Sequence, residues 1–293
     1  MQATIVIVCC SLVLGLIGTH VQFVRDLRRA LSSAVSVAPT AKVVSRLGVL
    51  FDNPHRSDAP LAVVAHGWCL YDPKFYSLLV ALLHERGYKV AFLSYQRNYL
   101  PFGIVARFVR QLRTLLDEFG SPEVIVGHSG GAATAIAATL ALPANERPGQ
   151  LLLLTPGDGG DAEGRSVIPL LRLHWARPPE GLPGHTPTEV RVVTASDDAV
   201  VGSVVAKRII EHLKRWPEHF LSSHTEIVPK SGTRLGHLFP MAGAQIADAP
   251  AILRHMLGDA AEIPPAAACD ALEKCLDLIK PSRSTLATER FPS

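Results

Sequence analysis

Charge is scarce in this chain: only 19% of its 293 residues are Asp, Glu, Lys or Arg, and the formal net charge is +3. The densest basic stretches, Arg25 to Arg29 and Lys207 to Lys214, are short. Such a mild, scattered excess lacks the basic stripe that a nucleic-acid face requires, so no nucleic-acid partner is expected. Sulfur is scarce too. The five cysteines (Cys9, Cys10, Cys69, Cys269 and Cys275) include no CxxC pair and no Cys/His grouping at metal-ligand spacing, so no metal site is expected. They read as free thiols that behave as small hydrophobes. There is no glycine-rich dinucleotide loop, no P-loop and no internal repeat, and no cofactor is expected.

What is abundant is apolar residues, at 48%, in a chain long enough to bury both faces of a sheet. The first 24 residues hold a run, Ala3 to Val24, broken by few polar residues, Ser11, Thr19, His20 and Gln22 among them. As a helix it would measure roughly 33 Å, against a hydrocarbon core of about 30 Å. A cleaved signal peptide needs positive charge ahead of its apolar region, and no Lys or Arg precedes this run. Arg25, Arg28 and Arg29 follow it at once. The pattern therefore points to a single-pass membrane anchor with the remainder of the chain cytoplasmic. The alternatives are a buried amphipathic helix, or a signal cleaved near Ser36-Val37-Ala38 that would leave a secreted protein. Residues 25–42 read as a linker.

From about Val43 short apolar runs alternate with longer amphipathic ones. Pro60 to Ala65, Tyr88 to Tyr95, Val124 to Val126, Leu151 to Leu154, Val190 to Val193 and Thr225 to Val228 have strand character. Lys74 to Glu85, Phe102 to Phe119, the Ala-rich stretch from Gly130 to about Leu142, Ser203 to Trp216 and Met241 to Leu257 have helical spacing. Continuously apolar strands separated by helices predict an α/β domain over residues 43–258: a mostly parallel sheet with helices on both faces. Residues 259–293 read as a tail with one short helical pattern, Cys269 to Ile279.

The chemistry concentrates at Gly127-His128-Ser129-Gly130-Gly131, a Gly-x-Ser-x-Gly match. The motif alone is weak; its setting carries the weight. The run Val124 to Val126 leads straight into it and the Ala-rich helix leads straight out. A serine on such a strand-to-helix turn is held in a strained conformation, and its neighbours must be small for the turn to close. The helix amino terminus then aims free N–H groups and the positive dipole end at a forming oxyanion.

On this motif and setting the chain resembles the α/β-hydrolase superfamily over roughly Val43 to Leu257. The resemblance implies the α/β-hydrolase fold, with Ser129 as nucleophile, an acid after a later strand and a histidine after the last one. Behind Val190 to Val193 comes Thr194-Ala195-Ser196-Asp197-Asp198-Ala199-Val200-Val201, which resembles the family's acid turn. Asp198 takes that role, and Asp197 is its rival, able instead to cap the helix that follows. Of the histidines near or beyond the last strand, His224 precedes it and His255 lies within a helix, whereas His237 sits in the following loop and can act as general base. Ala65-His66-Gly67-Trp68 resembles the family's His-Gly motif, so the backbone N–H groups of Trp68 and Gly130 are the implied oxyanion donors. Trp68 and His128 are the candidate substrate-binding side chains.

A serine at this position argues against the dehalogenase and epoxide hydrolase members, which use Asp there. The segment between Leu154 and Val190 is short, so at most a small cap is expected over an open site. These features predict a carboxylic-ester or thioester hydrolase acting through an acyl-enzyme on Ser129, on small or lipid-derived acyl substrates. An acyltransferase, a serine peptidase or a non-catalytic binding protein on the same fold are the alternatives. Oligomeric state is not legible.

Overall fold

The computed structural model describes residues 42–44, 48–51, 58–67, 72–95, 103–157, 186–198, 201–237, 239–241 and 265–279, with Gly15, Gly18 and Gln22 as isolated helical positions. Eight strands among these residues form one sheet: β1 Lys42–Val44, β2 Gly48–Phe51, β3 Leu61–Ala65, β4 Lys89–Leu93, β5 Val124–His128, β6 Gln150–Leu154, β7 Thr188–Ala195 and β8 Phe220–Ile227. Their order is β1-β2-β4-β3-β5-β6-β7-β8. β2 is antiparallel to β1 and to β4, and every pairing from β4 through β8 is parallel. The mostly parallel sheet agrees with the sequence reading. The short β1–β2 hairpin was not separable from its surroundings by pattern.

The α-helices with defined bounds among the described residues are α1 Ser77–Glu85, α2 Ile104–Phe119, α3 Gly130–Ala141, α4 Gly202–Leu213 and α5 Pro265–Leu276. They cover both faces, which explains why a strand such as β3 is buried at every position. Alternation sorts the contacts: Ala62 and Val64 pack with α1 and α5, while Val63 and Ala65 pack with α2, α3 and α4. In α2 the buried positions Ile104, Phe108, Leu112 and Leu115 form one stripe at helical spacing. α3 is buried almost throughout, and its small Gly and Ala residues let its backbone lie close to the sheet.

Two boundaries differ from the sequence expectation. The last strand spans Phe220–Ile227 rather than starting at Thr225, so His224 lies within it. Among the described residues β8 is the outermost strand, paired to β7 alone. Its Leu221 to Glu226 stretch need not be apolar, which hides its beginning from an apolar-run criterion. The short helix expected in the tail begins at Pro265, and its Ala271, Leu272, Cys275 and Leu276 are buried in the same cluster as Leu79, Leu82 and Leu83 of α1. Arg86 also donates to Asp277 (2.7 Å) and to the Glu273 carbonyl (2.9 Å), but the apolar burial carries the docking.

No helix among the described residues is long and apolar enough to cross a membrane. The apolar run 3–24, apart from Gly15, Gly18 and Gln22, lies outside those residues. So do Trp68, most of the segment expected to carry a small cap, and all but the first residue of the helix expected over 241–257.

Candidate active site

Parallel strands share a carboxyl-terminal edge, and a crevice opens where the strand order reverses. Here β3 is flanked by β4 on one side and β5 on the other. Gly67 follows β3, Ser129 follows β5, Gly157 follows β6, Asp197 and Asp198 follow β7, and His237 lies in the loop after β8. Five strands thus deliver their following turns to one edge.

The turn after β5 is built by steric exclusion. Ser129 has φ 52° and ψ −125°, a region that side-chain-bearing residues rarely enter and that costs on the order of 1–3 kcal/mol. Its N–H donates to the Leu154 carbonyl (3.1 Å), and its own carbonyl accepts from Ala132 (3.0 Å) and Gly157 (2.9 Å). A Cβ on Gly131 would lie 2.1 Å from the Ala65 carbonyl oxygen, and one on Gly127 2.8 Å from the Ala132 Cα. Only glycine fits at either place. Ser129 is the residue that opens α3, so the first helical amides, which have no partner within the helix, begin beside its side chain.

His237 stands over that serine. Ser129 Oγ lies 2.9 Å from His237 Nε2, and His237 Nδ1 lies 3.0 Å from Asp198 Oδ2. A carboxylate only accepts, so Nδ1 carries the proton toward Asp198, and Nε2 is left as an acceptor for the serine hydroxyl. The other Asp198 oxygen accepts from the Val201 N–H at 3.1 Å. The Asp198 side chain is fully buried and that of His237 nearly so. Asp197 acts elsewhere, its two oxygens accepting from the N–H groups of Leu235 (2.9 Å) and Gly236 (3.0 Å). It clamps the loop that carries His237 and does not touch the ring. The structure therefore brings Ser129, Asp198 and His237 into one line, and Asp197 sits beside it.

His128 requires a correction. Its expected place in the substrate pocket is excluded, because it is 0% exposed. It shares a strand face with Val126, two residues earlier, which packs toward α1. Both of its ring nitrogens are engaged, with Tyr76 Oη at 2.8 Å and the His237 carbonyl at 3.1 Å. Burial lowers its pKa to about 3, helped by the neighbouring His237. His66 is also fully buried, stacked between Phe92 (5.5 Å) and Tyr95 (4.2 Å), and burial lowers its pKa to about 4. Its Nδ1 lies 2.7 Å from the Gly67 carbonyl, and Tyr95 donates to the carbonyl of His66 itself. His66 thus shapes the turn after β3 and does not face the crevice beside Ser129.

Two neighbours of the site were not singled out from sequence. Thr155 has φ 40° and donates through Oγ1 to the His237 carbonyl at 2.9 Å. Gly157 lies against the Ser129 turn, its N–H donating to the Ser129 carbonyl at 2.9 Å. The signal for both was available: Thr155-Pro156-Gly157 immediately follows a buried strand, the position from which loops reach such a crevice.

No protein-family model matches the sequence, and a search of curated proteins finds no match. Among solved structures, esterase B from Lactobacillus rhamnosis superposes with a TM-score of 0.51 at 13% identity, over 94% of this chain and 97% of that one. Its structure inhibited by a tributyrin phosphonate gives the same score and identity over 95% and 98%. The esterase domain of a Rhodothermus marinus protein superposes at 0.47 with 14% identity, over 77% and 88%.

Proposed function

The chain has the α/β-hydrolase fold, and on it we propose a serine hydrolase that cleaves carboxylic esters or thioesters through an acyl-enzyme on Ser129. The observation that carries this reading is the continuous line from Ser129 Oγ through His237 to Asp198, with both contacts at 3.0 Å or less. In the proposed first step His237 Nε2 takes the serine proton as Oγ bonds to the substrate carbonyl carbon. The carbonyl oxygen becomes an oxyanion that accepts from the Gly130 N–H, with Trp68 N–H as the second donor implied by the family resemblance. The imidazolium returns its proton to the leaving alcohol or thiol. Water then repeats the sequence on the acyl-enzyme and frees the acid. A lipid-derived acyl group accords with the apolar run 3–24 acting as a membrane anchor.

Exposing the full-length protein to a fluorophosphonate probe beside Ser129→Ala tests the reading. The parent is expected to label and the variant not to. A folded parent that stays unlabelled would remove the nucleophile from the mechanism.

The space in front of Ser129 gives a second test. An ideal Cβ on Gly157 would lie 3.5 Å from the Gly130 nitrogen and 3.7 Å from Ser129 Oγ. Both are ordinary van der Waals distances, so Gly157→Ala should fold. The methyl would nonetheless share the space beside nucleophile and oxyanion donor through which a carbonyl must enter. Displacing the reacting atoms by about 1 Å costs on the order of 100-fold. Gly157→Ala is therefore expected to lower kcat/KM for a short ester by about 10- to 100-fold with an unchanged melting midpoint, and Gly157→Val by more. Parent-like turnover in both variants would show that the substrate approaches from another side.

A further inference from the structure

The carbonyl of His237 accepts two hydrogen bonds, from His128 Nε2 at 3.1 Å and from Thr155 Oγ1 at 2.9 Å. A carbonyl only accepts, so His128 Nε2 carries a proton. The buried ring is neutral, with a pKa near 3, and therefore has no second proton at neutral pH. Its Nδ1 is a bare acceptor, and the Tyr76 hydroxyl 2.8 Å away must donate to it. The tyrosine has then used its only hydrogen, and its oxygen accepts from the Gly67 N–H, also at 2.8 Å. Every direction is fixed: Gly67 donates to Tyr76, Tyr76 to His128, and His128 to the carbonyl of His237.

This line spans two places that the sheet does not join directly. Gly67 lies just after β3 and His237 in the loop after β8, and β5, β6 and β7 intervene in the sheet order. Tyr76 and His128 are both 0% exposed. Apolar side chains would fill the same volume without needing partners, since a buried polar group is costly unless every hydrogen bond is made. The geometry points to Tyr76 and His128 as positioning residues that hold the His237 loop in register with the turn after β3. This assignment rests on the proposed roles of Ser129 and His237.

Tyr76→Phe tests it in the full-length protein, because the ring and its packing remain and only the hydroxyl is lost. Turnover of a short ester is expected to fall about 10- to 100-fold in kcat, with KM within about twofold, as for a misplaced base in an intact binding site. His128→Leu is expected to show a similar loss. The double variant should be no worse than the poorer single, since one line is cut twice. His128→Gln, whose amide can again donate to the His237 carbonyl, should recover part of the activity.

Two measurements need no turnover. Nitrogen NMR of the parent should show the His128 ring as the neutral Nε2–H form. Hydrogen exchange at the amides of 235–237 should quicken in Tyr76→Phe. Faster exchange in a protein that hydrolyses no ester would keep the tie and overturn the hydrolase reading. Unchanged exchange, parent-like kcat or additive losses in an active enzyme would overturn the tie and leave the hydrolase reading intact.

Discussion

If the proposed mechanism holds, Asp198→Asn is expected to lower kcat by about 10⁴-fold, the scale of the same change in known serine triads, whereas Asp197→Asn should cost about tenfold or less. The difference follows from what each carboxylate faces. Asp198 accepts from the Val201 N–H at 3.1 Å and from His237 Nδ1 at 3.0 Å. Asparagine offers one acceptor and one donor, so only one of these contacts keeps its sense. The backbone N–H of Val201 cannot change, but an imidazole can move its proton to the other nitrogen. The amide oxygen therefore turns to Val201 and the NH₂ group to Nδ1, which must then accept. The proton shifts to Nε2, and that nitrogen can no longer take the hydrogen of Ser129. At Asp197 the donors are the amides of Leu235 and Gly236. Asparagine retains one of the two bonds, and losing the other is worth about 1.4 kcal/mol, or tenfold. Steady-state kinetics of the two variants would separate the roles. Equal losses, or a greater loss at Asp197, would reverse the assignment.

The elements that were legible in the sequence are those whose cause is local. Gly131 could be recognised because the turn admits no side chain there, whatever packs around it. The buried strands were legible because both of their faces meet helices. Asp197 and Asp198 could not be fully separated, since they share a turn and only the approach of the loop after β8 makes them different. β8 was misplaced at its start because an edge strand carries Ser222, Ser223 and His224 without penalty. The misreading of His128 was avoidable: strand alternation turns it toward the same face as Val126, away from its neighbour Ser129. Tyr76 gave no warning, because an aromatic residue beside the apolar stripe of α1 reads as core. Its hydroxyl has meaning only once Gly67 and His128 are seen on either side of it.

The buried histidines also set a large dependence of stability on pH. His66 and His128 have folded-state pKa values of about 4 and about 3, both lowered chiefly by burial, against about 6.5 in an unfolded chain. Between pH 6.5 and about 4 the unfolded state binds a proton at each that the folded state does not. Protonation therefore favours unfolding, and stability is present in full above pH 6.5 and falls as the solution is acidified. With each pKa unit worth about 1.4 kcal/mol, the two sites together should cost about 4 kcal/mol between pH 7.5 and pH 5. That is a large share of the 5–15 kcal/mol typical of a domain. His212, His219 and His224, whose pKa values are also lowered first by burial, act in the same direction. Urea unfolding at pH 7.5, 6 and 5 would measure the effect as a falling midpoint at constant m-value. A midpoint that holds steady across this range would mean that His66 and His128 take up protons in the folded state. The neutral ring on which the line from Tyr76 to His237 depends would then not exist under those conditions.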